Sequence, residues 1–257
     1  MGYSLESLIL LATAALLILL RFDARRFGAA DFDDEEAPGG LRAWLRRLTW
    51  YGLGIALVAV VYFLHPQPLT VLHLQMGEPR GLALIAGLAF GAIGILFAVG
   101  YAWWRLGEFS LPPAHRYPAG LLNSLATAFI DEAVFRGILL GLLLAYDWPV
   151  ELAIAFQAVL YALTTRLGGV GRPRALLLMS LGIGLIGGAL VASTLGIGAA
   201  FLGHALTRFA IFVATGHAGQ VTPSAAEGEV PIDDGAQFTQ VGWEVVADHD
   251  PGSGEYD

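Results

Sequence analysis

Cysteine and lysine are both absent from the 257 residues; all fourteen basic side chains are arginine. Without cysteine there is no disulfide, no thiolate nucleophile and no cysteine metal ligand, and the redox compartment is left undetermined. Charge of either sign is scarce. Only 14% of residues are charged, where soluble domains carry about 25%, and 56% are hydrophobic. With a mean hydropathy of +0.65, the bulk of the chain belongs in a bilayer. A net charge of −8 argues against nucleic acid as a partner. The start, "MGYSLESLILLATAALLILLRFDARR", lacks the basic stretch of a cleaved signal peptide, and its charges follow the apolar run. An uncleaved first span is expected. Myristoylation is not, because Glu6 stands where serine or threonine is needed.

Long apolar runs fall near 4–20, 49–65, 81–103, 119–146, 150–166, 175–192 and 195–215. Each is long enough to cross about 30 Å of hydrocarbon as a helix. The expected fold is an all-α, polytopic transmembrane helical bundle of about seven spans, within a range of roughly six to eight. Arg21, Arg25, Arg26, Arg42, Arg46 and Arg47 fall in the first loop, Arg105 and Arg116 in the third, and Arg166, Arg172 and Arg174 after the fifth span. The intervening loops hold only Arg80. This asymmetry predicts an integral protein of the cell membrane with its N-terminus outside and its C-terminus cytoplasmic. "GLRAWLRRL" sets Leu41, Trp44, Leu45 and Leu48 against Arg42 and Arg46, the pattern of a short helix lying in the interface.

Residues 1–215 therefore read as the transmembrane domain, and 216–257 as an acidic, mostly disordered cytoplasmic tail without arginine. Within the tail, "FTQVGWEVV" has strand-forming residues that suit a docking strand. Gly87/Gly91 and Gly184/Gly188 have the spacing of close helix packing. Neither an internal repeat nor the paired broken helices of transporters is evident.

The polar residues inside these runs carry the functional signal. "AFIDEAVFRGILLGLLLAY" places Asp131, Glu132 and Arg136 in an otherwise apolar segment, where each charge costs about 2.5–3.5 kcal/mol at mid-helix. On an α-helix Glu132 and Arg136 are i and i+4 and can pair. Asp131 points about 100° away and is not satisfied by that pair. In "AAFLGHALTRFAIF" His204 and Arg208 share a face, and "FQAVLYALTTR" offers Gln157, Tyr161, Thr164 and Thr165. Asp131 and Glu132 balance Arg136 and Arg208, with His204 left to titrate. Such groups face a bundle interior and find one another, so these spans should converge. The convergence fits a functional site, and equally a buried salt-bridge cluster that only fixes packing.

"DEAVFRG" resembles the Glu-Glu-x-x-x-Arg motif of the CPBP family, the CAAX proteases and bacteriocin-processing enzymes, also called the Abi type, with Asp131 in place of the first glutamate. The family's Phe-x-x-x-His motif aligns with "YALTT", where Tyr161 takes the phenylalanine position and Thr165 the histidine position. Its His-x-x-x-Asn motif aligns with "HALTR", which keeps His204 and puts Arg208 at the asparagine. The resemblance covers roughly 119–215.

It implies a glutamic-type intramembrane endopeptidase, needing no cofactor, that cleaves a membrane-anchored peptide or protein with acid-activated water. Carried over by position, Asp131 is the water-activating acid, Glu132 its partner and Arg136 the brace. His204 is then an oxyanion donor or proton shuttle, and Arg208 a further source of hydrogen bonds to an oxyanion. Thr165 cannot serve as a base near neutral pH. The alternative is a catalytically inactive relative acting as a membrane-embedded binding scaffold. Other chemistries lack their parts. Asp131, Glu132 and His204 have no second histidine at metal-ligand spacing, so no metal is expected. Ser180 and Ser193 lack a nucleophile elbow. His65, His73, His115, His217 and His249 read as solvated or interfacial.

Overall fold

Runs of leucine, alanine, valine and glycine in lipid must pair their own backbone groups, and a helix does so within one segment. The computed structural model describes residues 5–27, 40–107, 109, 111–167 and 174–215, and all regular structure among them is helical. The expected tail and its docking strand lie outside the described residues. In order come α1 (Leu5–Phe22), α2 (Gly40–Leu64), α3 (Arg80–Leu106), α4 (Tyr117–Asp131), a π-helical segment (Glu132–Leu139), α5 (Leu140–Ala145), α6 (Val150–Leu167), α7 (Arg174–Thr194) and α8 (Gly198–Thr215). α4, the π segment and α5 run on without a break, so the described chain makes seven rods.

The protein is an integral membrane helical bundle. Trp44–Leu64, Arg80–Trp104, Leu177–Thr194 and Gly198–Thr215 are each long and apolar enough to span a membrane. Ile9–Phe22 and Val150–Thr165 are shorter apolar helices. On α3, Leu84, Ile85, Leu88 and Leu96 point outward, a face suited to lipid.

α8 packs along α3 and against α4 and α7, while α6 packs on α7 and α1 on α2. The small-residue pairs lie at these contacts. A Cβ on Gly87 would meet Ala199 of α8, and one on Gly184 would stand 2.7 Å from the Ala158 Cβ of α6. The π segment touches α1, α2, α6 and α7, which places it at the centre of the bundle.

Two expectations are corrected. "GLRAWLRRL" is not a separate interfacial helix; it continues straight into α2, because no proline or turn residue interrupts it. Leu45 and Leu48 are exposed, while Arg47 is buried and Trp50 donates from Nε1 to the Leu20 carbonyl at 2.9 Å. His73 is not solvated either. The 65–79 connection folds back over the bundle, and its Leu72 is fully buried. Gly137 and Gly141 admit its backbone: a Cβ at Gly137 would stand 3.1 Å from the Leu72 carbonyl, and one at Gly141 would collide with that of Val71. The Ile197 N–H donates to the His73 carbonyl at 3.0 Å, and Glu78 N–H to that of Thr194 at 2.7 Å.

Candidate active site

Asp131 ends α4 and Glu132 opens the π segment. A π-helix bonds five residues back rather than four, and this wider turn recurs at functional sites. Every residue from Glu132 to Ile138 is buried, so the segment has no lipid face. The two adjacent acids consequently meet different helices.

Glu132 turns to α8. His204 Nδ1 lies 2.7 Å from Glu132 Oε1, and Arg136 Nη1 lies 3.3 Å from the same oxygen. The other imidazole nitrogen, Nε2, lies 3.2 Å from the Tyr161 hydroxyl of α6. With Glu132 ionised and His204 neutral, Nδ1 donates to the carboxylate and Nε2 accepts from the phenol. Arg136 also stacks its guanidinium 4.2 Å from the centre of the Tyr161 ring, a desolvated cation–π contact. Gly187 of α7 closes over the group; a Cβ there would stand 3.2 Å from Arg136 Nε and 3.4 Å from Glu132 Oε2.

Asp131 turns to α1. Arg21 Nε lies 2.6 Å from Asp131 Oδ1, and both side chains are buried. The contact is an ion pair held off the N–H direction rather than an aligned hydrogen bond. Arg21 was expected in the first loop and instead reaches into the bundle from the end of α1. Its burial follows from the acid it neutralises.

Glu132, Arg136, Tyr161 and His204 meet in one buried group, and Asp131 lies beside it on Arg21. Arg208 is buried one turn beyond His204 and touches neither acid; Thr165 is buried one turn beyond Tyr161. Gln157 donates from Nε2 to the Gly184 carbonyl at 2.8 Å and to that of Ile154 at 3.0 Å, which clips α6 to α7. A second polar group was not foreseen. The Tyr51 hydroxyl of α2 donates to Asn123 Oδ1 at 2.5 Å, and Thr127 Oγ1 donates to the same atom at 3.0 Å. Asn123, Thr127 and Asp131 recur every fourth residue, a polar stripe along α4 that the sequence displays openly. Among the described residues, no three histidine, aspartate or glutamate side chains gather as a metal site would require.

Residues 113–210 match the family described as type II CAAX prenyl endopeptidase, Rce1-like. This stretch is similar to the Rce1-like members of the CPBP family. It spans α4 through most of α8 and contains both acids, Arg136, Tyr161 and His204. Arg21, which neutralises Asp131, lies outside the Rce1-like stretch. No curated protein and no solved structure matches the chain.

Proposed function

We propose that this protein is an intramembrane endopeptidase that cleaves a membrane-anchored peptide or protein, with Glu132 as the base that activates water. The single observation that carries the reading is the buried relay Glu132–His204–Tyr161, joined at 2.7 and 3.2 Å. Glu132 Oε1 is held by His204 and Arg136, whereas Oε2 has no hydrogen-bond partner. Oε2 is then the lone pair that takes a proton from water. The water oxygen bonds to the peptide carbonyl carbon, and the carbonyl electrons move to its oxygen. As the intermediate collapses the C–N bond breaks, and the proton held by Glu132 passes to the leaving nitrogen. His204 keeps the carboxylate oriented, and Tyr161 keeps His204 oriented. In this reading Asp131 is a structural anion paired with Arg21, and the activating role expected for it passes to its neighbour.

A binding scaffold is the second reading, favoured by Thr165 at the family's histidine position. The topology we propose places the N-terminus outside and the C-terminus in the cytoplasm of a cell-membrane protein.

The test is cleavage of a panel of membrane-tethered peptides by the purified full chain in nanodiscs. Turnover that disappears in Glu132→Gln supports the peptidase. If the parent cleaves nothing, and Thr165→His gains nothing, the scaffold reading replaces it.

A further inference from the structure

Four glycines lie in α7 from Gly182 to Gly188, at positions where alanine makes the better helix. Gly184 and Gly188 are there for packing: a Cβ at either would press on α6, at Ala158 or at Gln157 and Ile154. Gly182 meets nothing within 4 Å. Gly187 differs from all three, because charged atoms border the place its Cβ would take. That point stands 3.2 Å from Arg136 Nε, 3.4 Å from Glu132 Oε2 and 3.6 Å from the Ala200 Cβ of α8.

Both charged atoms are sealed, on side chains that are 0% exposed, and neither has a hydrogen-bond partner among the described residues. Their own ion pair does not use them, since Arg136 Nη1 meets Glu132 at Oε1. A buried carboxylate oxygen and a buried guanidinium N–H are each costly to leave unanswered. One small group that both donates and accepts answers both. A cation there would face Arg136 and an anion would face Glu132, so the occupant is neutral. Water has the right size and valence. A distance of 3.2 Å is tight for a carbon but lies in hydrogen-bonding range for an oxygen. Two polar partners are enough to hold one buried water.

We propose that Gly187 keeps open a seat for one water molecule, which donates to Glu132 Oε2 and accepts from Arg136 Nε–H. That this is the water Glu132 activates rests on the peptidase reading. On that reading the water arrives already bound to its base. It gives one proton to Oε2, and its oxygen bonds to the peptide carbonyl carbon while the carbonyl electrons move to their oxygen. Arg136 then does more than brace the acid, because its Nε–H orients the attacking oxygen. Gly187 is a positioning residue whose contribution is the room it leaves.

The test pairs crystal structures of the full chain and its Gly187→Ala variant, grown from lipidic mesophase at a resolution that shows ordered water, with cleavage kinetics on one tethered peptide. The parent should show a single peak within about 3 Å of both atoms. Gly187→Ala sets a methyl on that point, and it should fold and show no peak. Its kcat should fall by about 10²-fold or more, with KM little changed, because the methyl displaces water rather than peptide. Gly182→Ala, on the same helix, should cleave like the parent. A parent without the peak, or with a peak bound to one of the two atoms alone, overturns the seat, even where Gly187→Ala fails to fold. A peak in the parent beside undiminished turnover in Gly187→Ala overturns the role of that water in cleavage. If the parent cleaves nothing, the peptidase reading and that role fall together, and the peak alone decides the seat.

Discussion

Arg21 Nε lies 2.6 Å from Asp131 Oδ1, which ties the first helix to the acid pair at the centre of the bundle. The Rce1-like stretch begins at residue 113, so its buried aspartate depends on a residue far outside it. α1 is thereby part of the site's electrostatics rather than a detached anchor.

Arg21→Gln should destabilise the protein by about 3–5 kcal/mol, because it strands Asp131 without its cation. Asp131→Asn alone strands Arg21 and should cost a similar amount. The double variant should recover much of the loss, since coupled partners are not additive. Melting of the three proteins in one detergent checks this; a double variant as unstable as the summed singles rejects the pairing.

Gly184→Ala and Gly182→Ala lie on the same helix and should behave oppositely. At Gly184 the new methyl would stand 2.7 Å from the Ala158 Cβ and 2.8 Å from its Cα, so α6 and α7 must separate. Overpacking of this kind costs about 1–3 kcal/mol. At Gly182 nothing lies within 4 Å, and alanine gains up to about 1 kcal/mol in helix propensity. Melting temperatures should move down for the first and stay level or rise for the second.

Much of this was legible in the residues, and the limits have physical causes. Apolar runs of span length located the helices, because a bilayer leaves the backbone no other partner. The cost of charge in lipid brought Asp131, Glu132, Arg136 and His204 together before any coordinates did. Arg21 was misplaced because an arginine just past an apolar run looks the same whether it faces water or folds back. The clue was the aspartate left without a cation. The π segment was illegible, since a wider turn keeps the same composition and changes only which faces are buried. Arg47 and His73 were read as surface residues because local charge and loop position say nothing about long-range contact.

The strap over the bundle should loosen in mild acid. Burial lowers the His73 pKa, against a smaller raising effect from the Leu195 backbone, so the folded protein prefers the neutral ring. The unfolded chain then binds more protons than the folded one as pH falls below about 6.5. His73 stabilisation is full above that pH and is lost as pH drops toward the depressed folded value. Melting temperature should fall between pH 7 and 5 (roughly the span of histidine titration), and His73→Gln should flatten part of that slope. An unchanged slope would remove His73 from the account.

The two acids should separate when each is made neutral. If Glu132 is the base, Glu132→Gln removes the group that takes the proton, and turnover should fall by about 10²–10⁴-fold. Asp131→Asn should mainly lower stability and leave measurable cleavage, because Asp131 is occupied by Arg21. Tyr161→Phe loses the hydroxyl that meets His204 Nε2 while keeping the ring under Arg136. It should reduce kcat more than it raises KM, as loss of a group that orients the relay does. Thr165→His restores the family's side chain one turn from Tyr161 and should raise the rate, while EDTA should leave it unchanged. These four variants and the chelator, run on one tethered peptide, decide the roles together. Equal loss in Asp131→Asn and Glu132→Gln, with equal stability, would return the base to Asp131.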